Sequence, residues 1–117
     1  DGWRGQALAG LRLAAATAVG HRRLVCASFA ADGSLSLSVA GSNPASSCSH
    51  PLPGPDGAPA FAEAAGTAVS VSPAGPLYFQ PNGRVSRDGA GQQVENRSIT
   101  GSGIAAITVY GESGHAE

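Results

Sequence analysis

Residues 4–22, RGQALAGLRLAAATAVGHR, decide the fold, because no other long run in the chain reads as a helix. Nine of these nineteen residues are Ala or Leu, and none is proline. Leu8, Leu11, Ala15, Ala18 and Val19 recur at i, i+3, i+7, i+10 and i+11, a narrow arc on a 3.6-residue wheel. The spacing therefore predicts a helix with one face to bury, carried by Leu8, Leu11, Ala15 and Val19. Arg12 and Gln6 fall off that arc, and Arg4 and Arg22 lie at its ends, where long stems reach water. His21, Arg22 and Arg23 are expected to close the last turn, against the negative end of the helix dipole.

After Arg23 the period changes to two. Leu24–Ala30 (LVCASFA) reads as a strand, Ala31–Ser34 (ADGS) as a turn with an Asp-Gly signal, and Leu35–Val39 (LSLSV) as the returning strand of a hairpin. Residues 41–66 hold five of the eight prolines among Ser, Gly and Asn, and are expected to form a long loop. Within it, Phe61 and its Ala-rich neighbours read as a short helical turn or a plug for the core. Thr67–Ser72 and Leu77–Gln80 are further strands, and Pro81-Asn82-Gly83 is a tight turn leading to Arg84 and Val85. Ser86–Gln92 reads as a loop, Val94–Thr100 as a weak strand and Ile104–Tyr110 (IAAITVY) as the strongest one. Gly111–Glu117 is expected to be a polar tail. One helix followed by hairpins is an α+β arrangement, in which the helix packs against an antiparallel sheet.

A chain of 117 residues is one domain with room for a modest core. Residues 1–23 supply the helix and residues 24–117 the β region. Seventeen glycines imply many turns, and all seven cationic side chains are Arg. The formal charge of −1 gives no general pull toward nucleic acid or anionic lipid. Phe29, Phe61, Tyr78, Phe79 and Tyr110 are expected to anchor much of the core beside Trp3. No signal peptide and no apolar run of membrane-spanning length precede the helix. Asp1 therefore marks either a mature start or a cut upstream of a longer helix.

Cys26 lies in an apolar strand and Cys48 in the Ser/Pro-rich loop. The favoured reading is a disulfide that ties the loop to the first strand, worth roughly 3 kcal/mol through loop entropy. It would place the chain in an oxidising compartment. The alternative is two unrelated thiols, and two cysteines are too few for a zinc site.

Little else carries chemistry. The chain has no nucleotide-binding glycine loop, HExxH or GxSxG motif. His21, His50 and His115 read as solvated surface residues. Asp32, Asp56 and Asp88 each precede Gly, which marks turns rather than paired acid/base carboxylates. Neither a cofactor nor a small-molecule substrate is expected. Arg84, Arg87 and Arg97 would form a DNA-contacting patch if they shared a face; otherwise they are solubilising charge.

Three stretches resemble one family. AAATAVGHRRLVCAS runs an Ala-rich helix through basic residues into a strand. LYFQPNGRV looks like a hydrophobic-x-Phe-x-Pro-x-Gly hairpin at Leu77, Phe79, Pro81 and Gly83. IAAITVYGESGH resembles a C-terminal strand followed by a Gly turn. Together they resemble type IV pilin-like proteins, closest to the minor pilins and pseudopilins of the GspH/FimT group. The resemblance implies a non-catalytic subunit of a type IV pilus or type II secretion pseudopilus. It also implies other pilin or pseudopilin subunits as partners, and an inner-membrane anchor through an apolar N-terminal half-helix that this sequence lacks. The place of action would be the bacterial inner membrane and periplasm, in a filament. Ala9, Leu13 and Ala16, opposite the apolar arc, would then contact a neighbouring subunit; the other reading is that they only supply helix propensity. Some FimT-like members take part in DNA uptake through basic residues near the C terminus, whereas the tail here carries two acids and no Arg.

Overall fold

In the computed structural model, which describes residues 2–42, 47–52, 68–72, 75–101 and 103–117, helix α1 spans Gly2–His21. Its end is a Schellman cap: Arg22 adopts a left-handed φ of 54° and the Arg23 amide donates to Ala18 O at 3.2 Å. Arg22 and Arg23 therefore lie beyond the last turn rather than within it.

Eight strands follow among the described residues. They are β1 (Val25–Phe29), β2 (Leu35–Val39), β3 (His50–Leu52), β4 (Val69–Ser72), β5 (Leu77–Phe79), β6 (Val85–Ser86), β7 (Arg97–Gly101) and β8 (Ile104–Val109). They form two antiparallel sheets, ordered β3-β2-β1-β5-β6 and β4-β7-β8. The chain is thus a small α+β domain, with α1 laid against β1, β2 and β5 of the first sheet and β8 of the second.

Strand register explains the core. Ala27 sits opposite Leu37 on one side and Leu77 on the other, Val25 lies between Val39 and Phe79, and Phe79 faces Val85. Alternation then turns Ser36 outward while Leu35 and Leu37 are buried. In the second sheet Ile99 lies between Val71 and Ile107. Both tight hairpins of the first sheet close alike. Gly33 and Gly83, at φ 94° and 92°, end three-residue loops in which Asp32 and Asn82 side chains accept the amides of Ser34 and Arg84.

The helix buries a different arc from the one its leucines suggest. Trp3, Ala7, Leu11, Ala14 and Ala18 form the sheet-facing side; Leu8 and Ala15 are partly buried at its margin, and Val19 is 49% exposed. Of the four expected core residues, Leu11 alone is fully buried, and at about 100° per residue the helix is rotated by roughly a fifth of a turn. Small residues at 7, 14 and 18 let the helix approach two sheets at once, so alanines replace bulkier side chains along the contact. Three long side chains fix its position. Trp3 Nε1 donates to Gly33 O at 2.8 Å, and Arg4 donates to Ala105 O and Ala106 O at 3.1 Å each. Arg12 Nη2 donates to Ala116 O at 3.3 Å.

Two further expectations change. The loop after β2 contains β3, an edge strand, where Pro51 needs no inward amide. Phe61 and residues 53–67 lie outside the described residues. The C-terminal stretch is no loose tail: Thr108 and Glu117 exchange two backbone hydrogen bonds, and Ala116 is fully buried. Gly111 O accepts the Val85 amide at 2.7 Å, which ties this segment to the first sheet.

Candidate functional site

The side of α1 turned away from the sheets carries Ala9, Leu13 and Ala16, all exposed. Leu13 is 44% exposed, and with Val19 it forms an apolar stripe that the rest of the chain leaves uncovered. Four Arg and no acid occur between Gly2 and Ala31, so this side carries no negative charge. Near the helix C-terminus, Val19, Arg22, Pro81 and Asn82 line an open groove of about 350 Å³. The PNG hairpin tip therefore sits beside the stripe, and a Cβ on Gly83 would lie 3.7 Å from Val19 Cγ2. The end of α1 and the Pro81-Asn82-Gly83 turn meet at this place.

Cys26 and Cys48 form a disulfide, with Cα atoms 6.2 Å apart. It anchors the segment entering β3 to the centre of the first sheet, on the face away from α1.

The three Arg of the expected DNA patch are not alike. Arg97 is 1% exposed, and its guanidinium donates to Gly75 O at 2.7 Å and Pro76 O at 2.9 Å. Burial holds its pKa below the usual guanidinium value, partly countered by Glu95. It bridges the second sheet to the entry of β5 and presents no charge to solvent. The strand parity contained this signal, since Arg97 shares a face with Ile99. Arg84 and Arg87 are exposed, and each lies 3.5 Å from an acid, Glu112 and Glu95 respectively.

Asp32 and Asp88 hold turns, as their Asp-Gly pairs suggest. The Ser34 amide and hydroxyl bond Asp32 Oδ1, and the Gln93 and Gln92 amides bond the Asp88 carboxylate. These donors lower both pKa values. Asp56 lies outside the described residues. His21 is exposed at the helix end, and His50 Nδ1 lies 2.8 Å from Ser49 Oγ on the surface. His115 stacks on Tyr110, and both side chains reach the Glu117 carboxylate, lowering its pKa through the Tyr110 hydroxyl first and His115 second.

Among the described residues no three His, Cys, Asp or Glu side chains converge to hold a metal. No described helix is long and apolar enough to cross a membrane. Comparison with family models, curated proteins and solved structures gives no match to this chain.

Proposed function

We propose that the chain is a non-catalytic assembly subunit, a minor pilin or pseudopilin of a type IV pilus or type II secretion pseudopilus. The observation that carries this reading is the exposed apolar side of α1. An N-terminal helix commits Trp3, Leu11 and three alanines to its own sheets and leaves Leu13 and Val19 in water beside Ala9 and Ala16. Exposed leucine and valine on a well-packed helix cost solubility unless a neighbour covers them. A subunit whose helix packs into a shared filament core supplies that neighbour. The Phe79-x-Pro81-x-Gly83 hairpin at the edge of the same surface supports the reading, and the Cys26–Cys48 disulfide fits the oxidising periplasm. The DNA-binding alternative has less support, because Arg97 is sealed inside and Arg84 and Arg87 are paired with acids.

Site-specific photo-crosslinking in the native host tests this. A photoreactive residue at Leu13, in the gene as the organism carries it, should yield adducts with other pilin-type subunits, identified by mass spectrometry. The same probe at Ser36, on the opposite face of the first sheet, should give few. Absence of Leu13 adducts, or equal yields at both positions, would overturn the assignment.

A further inference from the structure

Six of the seven arginines are partnered within the chain. Arg4 and Arg12 donate to main-chain carbonyls of β8 and the C-terminal segment, and Arg23 Nη1 donates to Gly41 O at 3.0 Å. Arg97 bonds Gly75 O and Pro76 O, while Arg84 and Arg87 lie beside Glu112 and Glu95. Arg22 is the exception. It is exposed, and among the described residues its guanidinium has no hydrogen-bond or ion-pair partner.

The backbone at this position is exceptional too. Arg22 is the one non-glycine residue with positive φ among the described residues, at 54°. A side chain in that region carries a steric cost that glycine at the same C′ position does not. The helix cap therefore gives no reason for an arginine here, and the guanidinium adds no bond to the fold.

Its location gives one. Arg22 follows Val19 by three residues, and the two line the groove at the helix end with Pro81 and Asn82. None of these four residues is acidic. The exposed stripe of Leu13 and Val19 thus ends on this cation. A neighbour that covers the stripe also strips water from the guanidinium, and a cation so covered requires an anion. A protein neighbour supplies a carboxylate, whose two oxygens match the guanidinium fork.

We infer that Arg22 pairs with an Asp or Glu side chain of the subunit that covers the Leu13–Val19 stripe. The pair sets the register of that contact, because apolar side chains alone leave the register of packed helices loosely specified. The pairing rests on the filament reading, which supplies the neighbour.

The Leu13 photoprobe in the native host serves as the readout. Arg22→Gly and Arg22→Gln should each lower the yield of Leu13 adducts about tenfold, and Arg22→Glu should lower it further. Arg22→Lys, which keeps the charge, should retain most of the yield. Arg22→Gly is the decisive variant, because glycine relieves the backbone cost: urea unfolding should show it no less stable than the parent while its adducts fall. Arg22→Lys against Arg22→Gln repeats the test with a side chain present in both. A second probe at Val19 should capture neighbour peptides that contain Asp or Glu, and changing that acid to Arg should restore the adducts of Arg22→Glu. Undiminished Leu13 adducts in Arg22→Gly, or a loss in Arg22→Lys as deep as in Arg22→Gln, would overturn the inference and leave the filament reading standing. So would a charge swap that restores nothing, or capture of phospholipid alone at Val19. Absence of Leu13 adducts in the parent would instead overturn the filament reading, and the pairing with it.

Discussion

Leu11 and Leu13 stand two residues apart on one helix and meet opposite environments. Leu11 is fully buried between two sheets, while Leu13 is 44% exposed. Ala14 and Ala16 repeat the contrast: the first is fully buried and the second exposed. Composition does not separate the two sides, since each mixes leucine with alanine. Their surroundings do, because sheet strands and the 111–117 segment close over only one of them. The lesson is that α1 divides its apolar residues between folding and association, so identical substitutions on the two sides should report different things.

The largest effect should come from the leucine pair. Leu11→Ala should cost about 2–5 kcal/mol in urea unfolding, and Leu13→Ala should stay within about 0.5 kcal/mol of the parent. Equal losses would break the comparison. The alanine pair should follow in the same order at smaller size. Ala14→Leu must force the helix away from its sheets, at about 1–3 kcal/mol, whereas Ala16→Leu should be tolerated in the isolated chain. At the helix end, Arg22→Gly should raise stability by up to about 1 kcal/mol, because Arg pays a steric cost at a φ of 54° that glycine does not. Acid should sharpen the contrast further. Asp32 and Asp88 have lowered folded-state pKa values, so their contribution is present above the ordinary aspartate range and fades as pH falls through the folded values. Global stability should therefore drop below about pH 4. The gap between Leu11→Ala and Leu13→Ala should stay constant through the same pH range, since neither side of α1 carries an acid.

The sequence made the helix and the tight hairpins legible because their signals are local. An Ala-rich, proline-free run and the Asp-Gly and Asn-Gly turns need no knowledge of neighbours. The phase of the helix was not legible. Weighting Leu8 and Val19 above Ala7 and Ala14 is sound for a helix against one partner, but here α1 sits in a shallow seat formed by two sheets, where bulk would hold it off. Arg97 escaped notice for a related reason: charge argued for the surface, while its parity with Ile99 argued for the interior, and two backbone carbonyls decide the matter. The C-terminal segment hid behind its glycines and polar residues, with Ala116 the lone apolar mark of its return to β8. β3 was masked by Pro51, which reads as a breaker until the strand is known to be an edge.

Solvent paramagnetic relaxation of methyl groups tests the two-sided helix most directly. With a neutral soluble gadolinium chelate and methyl-labelled chain, the Leu13 and Val19 methyl signals should broaden strongly while Leu11 stays sharp and shows contacts to β1. Comparable broadening of Leu11 and Leu13, or protection of Leu13 in the monomer, would contradict the account.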